Sequence, residues 1–150
     1  MDRKATARET LEIMEKGCYQ AFGRQIEIKE AMERSIENSI LITPEQGQAL
    51  LEKYGSSSDA PGRQETKTGS IRVENISTVD AIRKLSDEGK ETIGVLNFAS
   101  AKNPGGGFLN GAMAQEESLA ASGTLYSTLT VHEAYYRANR AQSSMMYTDH

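Results

Sequence analysis

Apolar positions recur at helical spacing at the start of the chain. Ala7, Leu11, Met14 and Cys18 follow an i, i+4, i+7, i+11 rhythm, which predicts a helix over Thr6 to Lys16 stopped by Gly17. Cys18 then falls on that helix's apolar face and is read as a core residue. Ile26-Glu27-Ile28 alternates briefly, as a short strand does. Lys29 to Asn38 reads as helix with Ala31, Met32 and Ile36 inward, and Ile40-Leu41-Ile42 as a short buried strand. Thr43-Pro44-Glu45-Gln46 is a helix start, with a capping Thr, Pro in the first turn and Gln in the box position. That helix runs to about Tyr54, with Leu50, Leu51 and Tyr54 facing inward.

Gly55 to Gly69 is rich in Gly, Ser, Asp, Thr and Lys and reads as a mobile surface loop. Ile71-Arg72-Val73-Glu74-Asn75 alternates like a half-buried strand. Ser77 caps a helix with Asp80 three residues on, Val79, Ile82 and Leu85 on its apolar face and Gly89 as its stop. Thr92-Ile93-Gly94-Val95-Leu96 is an apolar run. Strand, helix, strand from Ile71 to Phe98 predicts a βαβ unit and a locally parallel sheet. Glu116 to about Leu129 reads as helix weakened by Gly123, and His132 to about Gln142 as another. The strand count is low for this style and the end at Met146-Tyr147-Thr148-Asp149-His150 is abrupt. The expectation is a domain that continues past His150.

Composition narrows the function classes. Of 150 residues, 37% are hydrophobic and 25% charged, which describes a soluble protein with a modest core. The net charge of −4 argues against broad DNA binding, which needs many cationic phosphate contacts. A local anion site built from backbone N–H groups owes nothing to net charge. Cys18 stands alone, so no internal disulfide can form and a cysteine-based metal site is not expected. The N-terminus lacks the apolar core of a secretory signal, and no stretch approaches the roughly 20 apolar residues that span a bilayer. A cytoplasmic protein of bacterial type, without metal or cofactor and away from membranes, is the expectation.

The chemistry gathers between Asn97 and Glu117. An apolar run delivers Gly105-Gly106-Gly107 and then Gln115-Glu116-Glu117 into one loop. Glycines expose backbone N–H groups for close contact with phosphate oxygens, and carboxylates suit proton transfer or stabilisation of a cationic sugar. A Walker loop would need Lys and then Ser or Thr after its last Gly, where this chain has Phe108-Leu109-Asn110. The dinucleotide fingerprint misses by one position. The rival reading of the glycines is a flexible turn. For Glu116 and Glu117 it is a solvated first helical turn, where acids are common for dipole reasons alone. Asn97 can simply end a strand, and Asn103-Pro104 can open an ordinary turn.

The ordered set Asn97-Phe98-Ala99, Gly105-Gly106-Gly107, seven residues, then Gln115-Glu116-Glu117 resembles the microbial-type poly(ADP-ribose) glycohydrolase family. The resemblance covers most of the chain. It implies an α/β fold with a macrodomain-like α/β/α core, incomplete at the C-terminus, and a mainly helical N-terminal extension. Residues 1–70 would be that extension and the mobile loop, and residues 71–150 the first part of the catalytic domain. It implies hydrolysis of ribose–ribose glycosidic bonds in poly(ADP-ribose), on ADP-ribosylated proteins or free, with ADP-ribose as product. Glu117 would be the acid that protonates the leaving ribose oxygen, and Glu116 would hold the neighbouring ribose hydroxyls. Gly105, Gly106 and Gly107 would wrap the diphosphate, Gln115 would help shape the loop, and Asn97 and Asn103 would lie at ribose contacts. Phe108 would contact ligand or anchor the loop, the ligand role being favoured.

Adjacent helical residues point about 100° apart, so Glu116 and Glu117 cannot oppose each other across one bond as most glycosidase pairs do. One acid at the bond and one gripping hydroxyls is what adjacency allows. Ionisation of either raises the pKa of the other, while a helix N-terminus lowers both; the residues alone leave the balance open. Two other readings stand beside the enzyme: a noncatalytic ADP-ribose reader with the same cradle, and an interaction domain whose loop merely binds phosphate. His132 reads as a surface residue, Tyr135-Tyr136 as packing for the last helix in preference to a stack on a nucleobase, and Met145-Met146 as core.

Overall fold

Short polar side chains set where three of the helices begin. The computed structural model describes residues 2–55 and 69–141. Asp2 accepts hydrogen bonds from the N–H groups of Lys4 and Ala5 at 3.0 and 3.3 Å, so α1 (Arg3–Lys16) starts ahead of the position its apolar rhythm suggests. Gly17, at φ +70°, ends it with an N–H bond to Ile13 O at 2.8 Å. The turn redirects Cys18 from the predicted helix face into β1 (Cys18–Ala21), which pairs antiparallel with β2 (Arg24–Glu27). Phe22 and Gly23 both have positive φ, the backbone that a two-residue hairpin turn demands.

The chain continues through α2 (Lys29–Glu37) and α3 (Pro44–Tyr54), where Thr43 and Gln46 close a reciprocal capping box. Ile40 and Ile42 stand exposed outside any strand, and Leu50, Leu51 and Tyr54 of α3 are exposed too. These side chains, read as inward from their apolar spacing, are exposed instead, and the Tyr54 ring carries the Lys53 ammonium at 5.0 Å from its centre. Ser77 caps α4 (Thr78–Asp87) through Asp80 N at 3.1 Å. Beyond the glycines come α5 (Gln115–Ser122), α6 (Leu125–Thr130) and α7 (Glu133–Ala141). Gly123 and Thr124 split the single helix expected over Glu116 to Leu129 in two.

The hairpin is the only sheet among the described residues. The expected strands at 71–75 and 92–96 have no ladder, and Ile71 and Val73 are 94% and 92% exposed. A strand exists only through a hydrogen-bonded neighbour, and the described chain offers none there. The two segments are nonetheless fastened to the helices. Glu74 meets Lys84 Nζ at 2.6 Å and Arg72 Nε, and Gln115 holds 96–98. The core that carries the site is elsewhere: Ala7 of α1, Phe108 and Ala120 of α5 are buried together, with Leu11, Ala121 and Tyr126 against them. The segment Gly55 to Gly69 read as a loop falls almost wholly outside the described residues, as do Met145, Met146 and His150.

Candidate active site

Three glycines stand in a row for three different reasons. Gly105 and Gly106 have φ of +71° and +60°, a left-handed pair that L side chains avoid. A Cβ on Gly105 would also lie 3.0 Å from the Tyr126 ring, and one on Gly106 would run into Glu117 Oε1. Gly107 has ordinary φ, but its Cβ would sit 2.6 Å from that of Ala112. A 3-10 turn, Phe108–Asn110, follows and ends at Gly111. Phe108 is 3% exposed and lies 5.5 Å from the Tyr126 ring. Its ring packs in the core with Ala7 and Ala120, and the residue also lines the cavity that opens beside Glu117.

The Gln-Glu-Glu triplet is stitched to this loop one side chain at a time. Gln115 Oε1 accepts from Phe98 N at 2.9 Å, while Nε2 donates to Leu96 O and Thr78 Oγ1, both at 3.0 Å. Its amide thereby supplies the ladder partner that residues 96–98 otherwise lack. Glu116, 3% exposed, accepts from Ser100 N at 2.7 Å and Gly105 N at 3.1 Å. Glu117 accepts from Gly107 N at 2.8 Å and from Ala114 N at 3.0 Å. The Ala114 bond is half a capping box, since Ala114 has no side-chain acceptor to complete it. The two carboxylates thus diverge, with Gly106 between them.

Their environments push the two acids apart. Burial raises the Glu116 pKa above its ordinary value; the Ser100 and Gly105 N–H groups oppose this and the Glu117 charge adds to it. Glu117 is held below its ordinary value, chiefly by the Gly107 N–H. The Tyr136 hydroxyl is pushed up to about 12 by burial and then by the Glu116 charge, so it stays protonated behind that acid.

The loop's own N–H groups are all engaged. Gly105 N and Gly107 N serve the carboxylates, Gly106 N donates to Asn103 O at 2.9 Å and Phe108 N to Gly105 O at 3.0 Å. Of the three glycine N–H groups, two are taken by the protein's own acids and one by the turn itself. Asn103 closes the turn through its backbone, its N–H donating to Ser100 Oγ at 3.1 Å while its side chain is exposed. Asn97 lines a cavity of about 400 Å³ with Val79, Ile82, Leu119 and Leu125, and its Oδ1 is buried without a partner; Val79 and Arg83 belong both to this cavity and to the one beside Glu117. A different cavity, of about 550 Å³, opens beside Glu117 with Arg3, Asp80 and Arg83 on its walls. A groove of about 890 Å³ along α3 shares no residue with the loop.

Four residues of this network escaped the sequence reading. Ser100 and Thr78 act through hydroxyls that are ordinary in a turn and a helix start. Tyr136 suggests packing or a nucleobase stack and not a hydroxyl beside Glu116, and Arg140 of α7, whose Nη1 donates to Lys102 O at 3.0 Å, carries no local signal at all. Among the described residues no cluster of His, Cys, Asp and Glu could hold a metal ion, and no helix is long and apolar enough to cross a membrane.

Comparison with known proteins identifies relatives of this chain. The family described as microbial-type PARG, catalytic domain, matches residues 7–150. The crystal structure of poly(ADP-ribose) glycohydrolase from Thermomonospora curvata aligns with a TM-score of 0.81 at 38% identity, covering 97% of this chain and 52% of that one. The same enzyme bound to the inhibitor ADP-HPD aligns with a TM-score of 0.81 at 36% identity, covering 97% and 50%. The mixed α/β architecture is the one these structures share, and the chain spans about half their length. Comparison with curated proteins gave no match.

Proposed function

This chain belongs to the family of microbial-type poly(ADP-ribose) glycohydrolase catalytic domains, and from that premise we propose that it hydrolyses ribose–ribose bonds in poly(ADP-ribose) through a macrodomain-like site, with Glu117 as the acid. The observation that supports this most directly is the bond from Gly107 N to Glu117 Oε1 at 2.8 Å. It joins the anion-binding loop and the acid in one hydrogen-bonded unit.

The chemistry follows from that bond. In the free protein Glu117 is ionised, because two backbone N–H groups favour its charged form. A general acid must instead carry a proton. A substrate diphosphate settling on the loop competes for the Gly107 N–H and places negative charge nearby. Losing the donor and gaining the charge both raise the Glu117 pKa, so substrate binding makes the acid take up a proton from solvent. Glu117 then delivers that proton to the leaving ribose oxygen as the glycosidic bond breaks. The oxocarbenium ion left behind is stabilised by the Glu117 carboxylate and the diphosphate until water adds to it and gives up a proton to Glu117.

Glu116 serves a different end. A carboxylate has about four lone-pair sites and Glu116 uses two on Ser100 and Gly105, so acceptor capacity remains for ribose hydroxyls. The Gly105 bond makes its grip on the sugar sensitive to the loop's shape. Asn103, on the loop's exposed side, is a contact at the ribose rim, and Gln115 shapes the loop. The substrate is poly(ADP-ribose), free or on ADP-ribosylated proteins, and the setting is cytoplasmic.

The experiment is incubation of the chain with poly(ADP-ribose), following ADP-ribose release by wild type and by Glu117→Gln. Release by the wild type, with binding but no release by the variant, is the expected result. Binding without release by both would make the chain a reader of ADP-ribose, and absence of binding would remove both readings.

A further inference from the structure

The residue before the two acids is the most heavily tethered of the triplet. Both N–H groups of the Gln115 amide are spent, one on Leu96 O and one on Thr78 Oγ1, and its oxygen takes the Phe98 N–H. Only one orientation of that amide satisfies these partners; the reverse would set nitrogen against the Phe98 N–H and oxygen against the Leu96 carbonyl. Gln115 is also the first residue of α5, so whatever fixes it fixes the root from which Glu116 and Glu117 project.

Thr78 is suited to be that fixed point. It is the first residue of α4, immediately after a cap in which Ser77 Oγ accepts from Asp80 N at 3.1 Å and bonds Asp80 Oδ2 at 2.6 Å. That first turn is therefore locked from below, and the Thr78 hydroxyl comes to Gln115 from a helix distant in sequence. The other two Gln115 partners lie in residues 96–98, which have no strand neighbour among the described residues to steady them. Terminal amide torsions are soft, so two tethers on an unladdered segment leave the angle of α5 poorly held. The third tether, from a capped helix, holds it.

We infer that Thr78 is a positioning residue for the acid pair, its hydroxyl fixing the Gln115 amide and thereby the angle at which α5 presents Glu116 and Glu117 to the glycine loop. This role rests on the glycohydrolase reading only for its effect on turnover; the positioning itself is a property of the free chain. Thr78→Val keeps the shape and removes the acceptor, and Thr78→Ser keeps the hydroxyl.

The test reads the Gly107 amide resonance and the Glu117 carboxyl titration by NMR in the full chain, with kcat and KM for ADP-ribose release. Thr78→Val is expected to shift the Gly107 amide and to raise the Glu117 midpoint towards the ordinary glutamate value. It should lower kcat about three- to tenfold, the loss of one neutral hydrogen bond, with KM within about twofold. Thr78→Ser should restore all three. Should Thr78→Val fold poorly, Thr78→Ala also lacks the hydroxyl and must show the same two NMR changes. A Gly107 resonance and Glu117 titration unchanged in the hydroxyl-free variant, or a failure of Thr78→Ser to restore them, overturns the inference. Absence of ADP-ribose release by the wild type would count against the glycohydrolase reading, while the NMR arms still decide the positioning role.

Discussion

Placing one methyl group on Gly106 tests whether the carboxylates are held where the structure has them. The Cβ of Gly106→Ala would collide with Glu117 Oε1 and lie 3.1 Å from Glu117 Cδ and 3.2 Å from Glu116 Oε2. Two costs follow. The left-handed backbone, at φ +60°, costs a non-glycine residue about 1–2 kcal/mol. Glu117 must also withdraw, and its bonds to Gly107 N and Ala114 N are hydrogen bonds to a charged group, each contributing about 1.5–3 kcal/mol. Solvent reaches this half-buried site, so the equivalent of one such bond at the low end, about 1.5 kcal/mol, is the expected net loss. The total is then about 2.5–3.5 kcal/mol. Gly23→Ala is the control: φ is +71° and nothing lies within 4 Å of its Cβ, so it carries the backbone cost alone. Urea unfolding of the two variants measures the difference, which should be about 1.5 kcal/mol, and Gly106→Ala should also lose ADP-ribose release. Equal destabilisation of both variants, with Gly106→Ala retaining wild-type release, would refute the carboxylate–glycine contact.

Phe108→Ala should destabilise by about 3–5 kcal/mol, the usual cost of removing a large core aromatic, measured by thermal unfolding; a surface-like loss below about 0.5 kcal/mol would put the ring outside the core. Stability against pH should separate the two acids. Glu117, lowered in the folded state, contributes stability that is present above the ordinary value of 4.5 and lost as pH falls through its folded value. Glu116, raised, contributes stability that is full below 4.5 and lost as pH rises through its folded value. Glu117→Gln should therefore flatten the fall in Tm below pH 4.5 and Glu116→Gln the fall above it.

What could be read from the residues was what is decided within a few positions of itself. Thr43 with Gln46 and Ser77 with Asp80 announce their helices because a cap is satisfied three residues away. The Gly-Gly-Gly and Gln-Glu-Glu sets could be paired across the loop, and their mutual reach was legible as one loop, though not which N–H each acid would take. The balance between helix terminus, neighbouring charge and burial needed coordinates, because Glu116 is buried and Glu117 is not. Strands were the weakest reading, since Ile71 to Asn75 and Thr92 to Leu96 have the composition of strands but no neighbour among the described residues. Cys18 and Phe108 show the same limit at single positions: a left-handed Gly17 and a core shared with Ala7 and Ala120 decided where they went. Gln115 held the least visible information, because its partners Thr78 and Leu96 lie in α4 and in the segment without a ladder, both distant in sequence.

The claim that substrate arms its own acid is tested most directly by counting protons. ADP-ribose is titrated into the chain at about pH 5.5, above the ordinary glutamate pKa, in two buffers of different ionisation enthalpy. The difference in calorimetric heat gives the protons taken up per ligand bound. Net uptake by the wild type that disappears in Glu117→Gln is the predicted result. Heats independent of the buffer, or uptake that persists unchanged in Glu117→Gln, would contradict it.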